Sequence, residues 1–229
     1  MSLLTLCQDV AVMVGLNKPS SIINNTDSDA QKLLAIANME GRALSRRYDW
    51  QLLVKETSFT TIAAGDQGAV DDIAPGFDRF ISRTVFKRNQ GRELFGSLDA
   101  HTWQFNKSWP LAGIYDRFRV RDGHLLIIPT PTAGDTIYFE YISKYWVNGD
   151  KEEFTADTDT PILSDELVRL GMIYRTRASL GLDYSREKDE YEKAVDQKVG
   201  TDVPRKIIKT DGITQYPYTV GLPNGSMPQ

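Results

Sequence analysis

The sequence predicts an α+β protein, with a helical layer, an inserted antiparallel β module and an extended C-terminal arm. Two observations lead to this class. Apolar residues recur with the helical period near both ends of residues 1–202, and the stretch between them is rich in Phe, Ile, Val, Thr and Tyr interrupted by Gly, Pro and Asp. We therefore expect a helical domain over 1–54 and 155–202, the β module over 55–154 and the arm over 203–229.

The composition argues against several classes of protein. The chain has 229 residues, of which 41% are hydrophobic and 25% charged, and both values are ordinary for a globular protein. Its formal net charge of -4 gives no general reason to expect binding to a phosphate backbone. Cys7 is the only cysteine, so neither an intramolecular disulfide nor a cysteine-based zinc cluster can form. The N-terminus lacks the basic region of a signal peptide, and no apolar run is long enough for a membrane span.

Two helices are predicted before the β module. Residues 2–15 form an amphipathic pattern that Gly15 is placed to end. After a turn-rich linker, Ser28 and Gln31 match a capping box, in which each side chain bonds the other residue's backbone amide. The helix that they begin is expected to run to about Tyr48.

The β module is clearest in a hairpin over 118–129, with the sequence FRVRDGHLLIIP. Apolar and basic residues alternate in its first strand, and Asp122-Gly123 supplies the two positive φ angles that a tight primed turn needs. Further strands are expected over 136–146 and near 56–62 and 78–88.

A helical hairpin is predicted after the β module. Ser164 is placed to cap its first helix, and Gly181 is placed for a left-handed C-terminal cap. A second helix follows over roughly 184–199, and the short turn predicts antiparallel packing. The apolar face of the first helix is formed by Leu163, Leu167, Leu170 and Tyr174.

The arm over 203–229 is rich in proline and glycine. It holds four prolines and three glycines in 27 residues, so it cannot build a core of its own. We expect it to gain order on a partner surface, where tyrosines such as Tyr216 and Tyr218 suit the role of anchors.

The stretch ADTDTP, residues 156–161, has two interpretations. As metal ligands, Asp157 and Asp159 would begin the site of a hydrolase, but an EF-hand count from Asp157 puts Pro161 and Val168 where further ligands are needed. As a turn, the aspartates bond nearby amides and the proline extends the chain before the next helix. We favour the turn, and we expect no catalytic residue, no metal ligand and no cofactor.

Two other kinds of functional site, a histidine-based catalytic site and a nucleic-acid interface, have less support in the sequence. His101 and His124 lack ligand-spaced partners, and no GxSxG elbow surrounds a serine. A nucleic-acid interface remains a third interpretation, although alternation around Phe80 and Val85 favours a solvated strand face. The basic residues of that interface would be Arg79, Arg83, Lys87, Arg88 and Arg92, interleaved with Phe80 and Phe86.

The order of several motifs resembles the head-to-tail adaptor (connector) proteins of short-tailed bacteriophages. The resemblance covers most of residues 1–200, and the series DxDTP, helix, GLDY is its most distinctive part. It is carried by RRYDWQLL at 46–53, IAPGFDRFI at 73–81, LLIIPTPTAGDTIYFEYISKYWV at 125–147, FTADTDTPILSDELVRLG at 154–171, GLDY at 181–184 and EYEKAV at 190–195.

The resemblance implies a structural virion protein, made in the bacterial host cytoplasm and located at the head-tail junction, and not an enzyme. Such adaptors form a ring, usually of twelve copies, below the portal protein. The helical domain would form the ring, which extends the channel for double-stranded DNA without sequence-specific binding and docks the next tail or nozzle component. No membrane partner is implied.

Two sets of contact residues follow from these expectations. The arm would reach the portal, and contact between neighbouring copies would pair the aspartates of the acidic turn with arginines of the next helix. The portal candidates are Ile213, Tyr216, Tyr218, Val220 and Leu222; the subunit-interface candidates are Asp157, Asp159, Arg175 and Arg177.

Overall fold

The α+β class is confirmed. The computed structural model describes residues 1–108 and 115–202, in which helices and two antiparallel sheets alternate along the chain. The five portal candidates of the arm lie outside the described residues. Of the helices in the described part of the chain, none is both long and apolar enough to cross a membrane.

The N-terminal helices begin and end close to where the sequence predicts. Helix α1 spans Leu3–Val14 and ends at Gly15, whose φ of 79° is the left-handed value that glycine adopts without strain. Helix α2 spans Ser28–Arg47. The capping box is wrong by one residue, because Asp27 is the N-cap and accepts the amide of Asp29, which places Ser28 inside the first turn.

The β module contains two sheets. In the first sheet, β8 (Thr136–Ser143) pairs with β1 (Val54–Thr60), β3 (Phe77–Phe80) and β4 (Phe86–Lys87), and β4 also pairs with β5 (Arg92–Glu93). The second sheet has the order β2 (Asp66–Ala69), β7 (His124–Ile128) and β6 (Arg117–Arg121). Helices α3 (Val70–Ile73) and α4 (Ala100–Ser108) interrupt the module, and neither is predicted from the sequence.

The hairpin of β6 and β7 is confirmed in its turn and its register. Asp122 and Gly123 have φ of 54° and 72°, the positive pair that a primed turn requires. Arg121 pairs with His124 next to the turn, and Arg117 pairs with Ile128 at the far end.

The C-terminal helices form the predicted hairpin. Helix α5 spans Asp165–Ser179 and helix α6 spans Ser185–Asp202, joined through Gly181 with a φ of 70°. Ser164 occupies the N-cap position, but its side chain makes no capping hydrogen bond, so its predicted role as a capping side chain is wrong. The acidic residues Asp165 and Glu166 in the first turn complement the helix dipole instead.

Two hydrophobic cores organise the chain. The first lies among α1, α2, α5 and α6, and it also takes in Trp146, Val147 and Phe154 from the segment that follows β8. The second lies within the β module, around Phe118 and Phe139. The division into domains at 54 and 155 stays a prediction, but the segment 146–154 packs with the helical layer.

Candidate functional site

The acidic turn joins three parts of the helical layer. The carboxylate of Asp157 accepts the backbone amides of Ile22 (3.1 Å) and Ile23 (2.8 Å), which lie in the linker between α1 and α2. The carbonyl oxygen of the same residue accepts the amide of Leu4 in α1 at 3.1 Å. Asp157 therefore holds the N-terminal region against the entry to α5.

Asp159 stabilises the turn through contacts with residues close to it in sequence. Its carboxylate accepts the amides of Thr155 (2.7 Å) and Ala156 (2.9 Å), and it pairs with the ammonium of Lys151 at 2.7 Å. Burial alone would raise the pKa of this carboxyl, but the hydrogen bonds from Lys151 and the two amides outweigh it and bring the pKa of Asp159 down to about 2. Its carbonyl oxygen accepts the amide of Leu3 at 2.8 Å.

These contacts bear on the metal hypothesis. Both carboxylates already accept donors from their own chain, and such donors compete with a cation for the same oxygens. Across residues 1–108 and 115–202, no group of three or more His, Cys, Asp or Glu residues is arranged to hold a metal ion. The turn interpretation accounts for these contacts of the two aspartates.

The two arginines of the proposed subunit interface also have partners within the chain. Arg175 Nε lies 2.5 Å from Glu40 Oε2. Arg177 Nε donates to the carbonyl oxygen of Asp183 at 2.8 Å and lies 3.4 Å from Glu187. Contact of these arginines with a neighbouring copy stays a prediction.

A buried polar cluster at the centre of the helical layer is absent from the sequence predictions. Glu40 of α2 is fully buried and accepts hydrogen bonds from Arg175 and from the hydroxyl of Tyr191, the latter at 2.6 Å. Burial raises the pKa of Glu40 despite these bonds. Gly171 of α5 leaves room for the carboxyl group, because a Cβ at this position would collide with it.

A signal for this cluster is present in the sequence. Glu40 follows Leu33, Ile36 and Ala37 at the helical spacing of the buried face of α2 and precedes Leu44 on the same face. A charged residue at such a position requires a buried partner. The sequence pattern therefore identifies Glu40, but it does not identify Arg175 and Tyr191, which lie far along the chain.

The basic stretch over 79–92 is largely neutralised within the chain. Arg79 Nη2 lies 2.7 Å from Asp49, Arg83 lies 3.3 Å from Glu93, and Arg88 pairs with Glu56. Phe80 packs its ring against Phe77, Phe118 and Phe139 in the β-module core. The stretch therefore offers little free charge and no exposed Phe80 ring to a nucleic acid.

Lys87 contradicts the predicted solvated strand face. Its side chain is 6% exposed, and its ammonium lies 2.7 Å from Asp116 and 3.2 Å from Asp135. Burial alone would lower the pKa of Lys87, but the hydrogen bonds to the two carboxylates outweigh it and raise the pKa. The local sequence pattern does not predict this burial, because both carboxylate partners lie in segments distant along the chain from Lys87.

The two histidines stay apart. His124 lies beside the β6–β7 turn with its Nδ1 3.1 Å from the carboxylate of Asp66, and both side chains are about half exposed. His101 lies in the exposed first turn of α4, where Asp99 accepts the amide of Thr102. No serine is hydrogen-bonded to either ring among the contacts of the described residues.

The arginines of β6 differ from the basic stretch. Arg117, Arg119 and Arg121 alternate along the strand with Phe118 and Val120, and none of the three makes an ion pair within the described residues.

Comparison with known proteins adds no identification, because no protein-family model matches the chain and no curated protein matches it.

Proposed function

We propose that the chain is a head-to-tail adaptor of a short-tailed bacteriophage. In this role it is a structural subunit without catalytic activity. Copies of it form a ring below the portal, extend the channel for double-stranded DNA and dock the next tail component. The mature protein is then part of the virion at the head-tail junction.

The observation that carries the proposal is the environment of the acidic turn. ADTDTP begins the most distinctive series of the resemblance, and the carboxylates of its two aspartates accept backbone amides of the α1–α2 linker and of the turn itself. Asp157 binds the α1–α2 linker and Asp159 binds its own turn and Lys151. These contacts support a motif that positions helices for assembly, and they leave the metal-dependent hydrolase without a supporting contact in the described residues.

The helical layer suits the wall of a ring. Helices α1, α2, α5 and α6 share one core. At its centre, Arg175 and Tyr191 donate hydrogen bonds to the buried carboxylate of Glu40. A layer of this kind presents a fixed surface to neighbours, which assembly of identical subunits requires. In the sequence, the arm follows α6 directly.

The proposal is tested by removing the arm. We expect a chain lacking residues 205–229 to melt at the same temperature as the full chain, because the described residues before it form two hydrophobic cores from their own side chains. We also expect it to add no ring to purified portal in negative-stain electron microscopy. A truncated chain that still saturates the portal rings would refute the role of the arm.

A pair of substitutions sharpens the same test. Tyr216→Ala with Tyr218→Ala should weaken attachment to the portal, because aromatic anchors carry much of the energy of such contacts. The matched control is Tyr184→Ala, which removes a partly exposed tyrosine that lies before α6. Equal losses in both variants would contradict a specific role for the tyrosines of the arm.

A further inference from the structure

We propose that the row of three arginines on β6 is a contact surface for the phosphate backbone of double-stranded nucleic acid. The row consists of Arg117, Arg119 and Arg121. The inference is independent of the adaptor proposal, because it concerns the surface of a single folded chain.

The strand fixes the spacing and direction of the row. Alternate residues of a β-strand point to the same face and lie about 6.8 Å apart, so the three Cα atoms span about 14 Å. On the neighbouring strand β7, the residues directly opposite them are Ile128, Leu126 and His124. The opposite face of β6 carries Phe118, which belongs to the core of the β module.

The row is held rigidly on both sides. Strand β7 pairs with one edge of β6 over five residues. The segment 95–98 covers the other edge: the amide of Phe118 donates to Phe95 at 2.9 Å, and the amide of Leu98 donates to Phe118 at 3.0 Å. Because this edge is already bonded, an added β-strand has no free backbone to pair with. The side chains of the row remain the means of recognition.

The charges of the row are available. Within the described residues none of the three arginines has a carboxylate within ion-pair distance, whereas the nearby Lys87 and Arg88 both do. The sequence over 109–114, WPLAGI, contributes no acidic residue to this neighbourhood.

Asp66 and Asp122 lie near the turn end of the row, whereas Asp116, next to Arg117 at the other end, is paired with Lys87 at 2.7 Å. The carboxylate of Asp66 lies 3.1 Å from His124 Nδ1 at the turn end, and the pKa of Asp66 is lowered chiefly by the backbone amide of Gly68, with smaller effects from the hydrogen bond with His124 and from Arg121. Asp122 lies in the turn itself. We therefore expect the strongest contact with anions at Arg117 and Arg119.

The chemistry of this face favours phosphates of a duplex. Arginine keeps its positive charge at every accessible pH, and a row of such charges at regular spacing neutralises the phosphates of a regularly charged backbone. The residues opposite the row on β7 are aliphatic or histidine. The exposed rings of Phe95 and Tyr115 lie beside Arg117, but they pack edge to face against each other at 5.3 Å and do not form a series of platforms along the row on which successive single-stranded bases could stack. Binding should therefore be independent of base sequence.

The test is a titration of a fluorescent mixed-sequence duplex of about 30 base pairs, followed by anisotropy between roughly 50 and 200 mM salt. For the wild-type chain we expect log K to fall with log salt with a slope of about -2.7, the value for three neutralised phosphates. The variant R117Q/R119Q/R121Q should lose at least about tenfold in affinity and most of this slope.

Two variants control for charge and geometry. R186Q/K188Q/K193Q removes the same charge from exposed positions of α6 and should keep the wild-type slope. R117K/R119K/R121K keeps the charge on β6 and should bind within about threefold of wild type, because phosphate contact depends mainly on charge.

Four results would overturn the inference, and the first three concern the duplex. They are a wild-type chain that does not bind the duplex at low salt, an α6 variant that loses as much affinity as the β6 glutamine variant, and a lysine variant that loses as much as the glutamine variant. Binding of polyglutamate without binding of the duplex would also overturn it and would point to an acidic protein surface. Circular dichroism of each variant shows whether the fold is retained.

Discussion

Among the described residues, each of the two cores has one buried charged side chain, and hydrogen bonds outweigh the effect of burial at only one of the two. Glu40 is fully buried in the helical layer, and the cost of removing its charge from water raises the pKa above that of an exposed glutamate. Lys87 is buried in the β module, and there the hydrogen bonds to two carboxylates outweigh the effect of burial and raise the pKa of the ammonium.

The difference comes from the number of opposite charges that each group faces. Glu40 accepts from one arginine and from the neutral hydroxyl of Tyr191, whereas Lys87 donates to two carboxylates. The pKa directions therefore give different dependences on pH. The ionised form of Glu40 opposes folding, so its contribution becomes more favourable as the pH falls through its raised pKa. Lys87 stabilises the fold below its unfolded pKa, and this contribution is lost as the pH rises through its folded pKa.

The largest effect is expected from Gly171→Ala. The new methyl group would collide with the carboxyl group of Glu40, which cannot move without losing its bonds to Arg175 and Tyr191. We expect a loss of about 3 to 5 kcal/mol in the free energy of unfolding, the range for a broken buried ion pair. Urea denaturation measures this loss.

The matched control is Gly200→Ala in α6, where a Cβ meets no atom within 4 Å. Since alanine favours helix over glycine, this control should gain about 0.5 to 1 kcal/mol. A double variant with Glu40→Ala provides a further check, because Gly171→Ala should cost less once the carboxyl group is gone. An equal cost in both backgrounds would contradict the role of Glu40.

The second effect tests the other core. Lys87→Met leaves Asp116 and Asp135 without their shared cation, and we expect a loss of about 3 kcal/mol in the free energy of unfolding. Arg88→Gln is the control, since Arg88 and its partner Glu56 are both about half exposed. An exposed pair of this kind contributes about 1 kcal/mol or less. Equal losses at the two neighbouring positions would show that burial is not the cause.

The sequence predicts those parts of the fold that short-range patterns determine. Asp122-Gly123 specifies the hairpin turn through its positive φ angles, and Gly15 and Gly181 mark helix ends for the same reason. The helical period identifies the buried faces of α1 and α5, including Leu6 and Leu167.

The sequence does not predict contacts between distant segments. Lys87 looks like part of an exposed strand face, because Asp116 and Asp135 become its neighbours only in the folded sheets. The turn at Asp157 is recognisable from the sequence. Its hydrogen bonds to the amides of Ile22 and Ile23 are not, because they join residues separated by more than half of the chain. The exact N-cap of α2 is ambiguous for a local reason, since Asp27 and Ser28 both suit the position.

Asp159 belongs to neither core. Its carboxylate accepts several hydrogen bonds, so its pKa shows whether burial or hydrogen bonding dominates in such a case. Its side chain is 9% exposed, yet the bonds from Lys151, Thr155 and Ala156 lower its pKa to about 2. At neutral pH, Asp159→Asn removes the ion pair and turns an amide group towards the backbone donors. We expect a loss of at most about 2 kcal/mol in the free energy of unfolding.

The dependence on pH distinguishes this effect from loss of packing. A lowered pKa means that the stabilisation is complete above the unfolded value of about 3.9 and is lost as the pH falls towards about 2. The stability difference between wild type and Asp159→Asn should therefore shrink over this interval in urea titrations. Asp150→Asn is the control, because Asp150 is 70% exposed beside Lys55 and should change stability little at any pH. A difference that stays constant from pH 5 to pH 2 would indicate that Asp159 acts through shape, and the carboxylate charge would then have no part in fixing the turn.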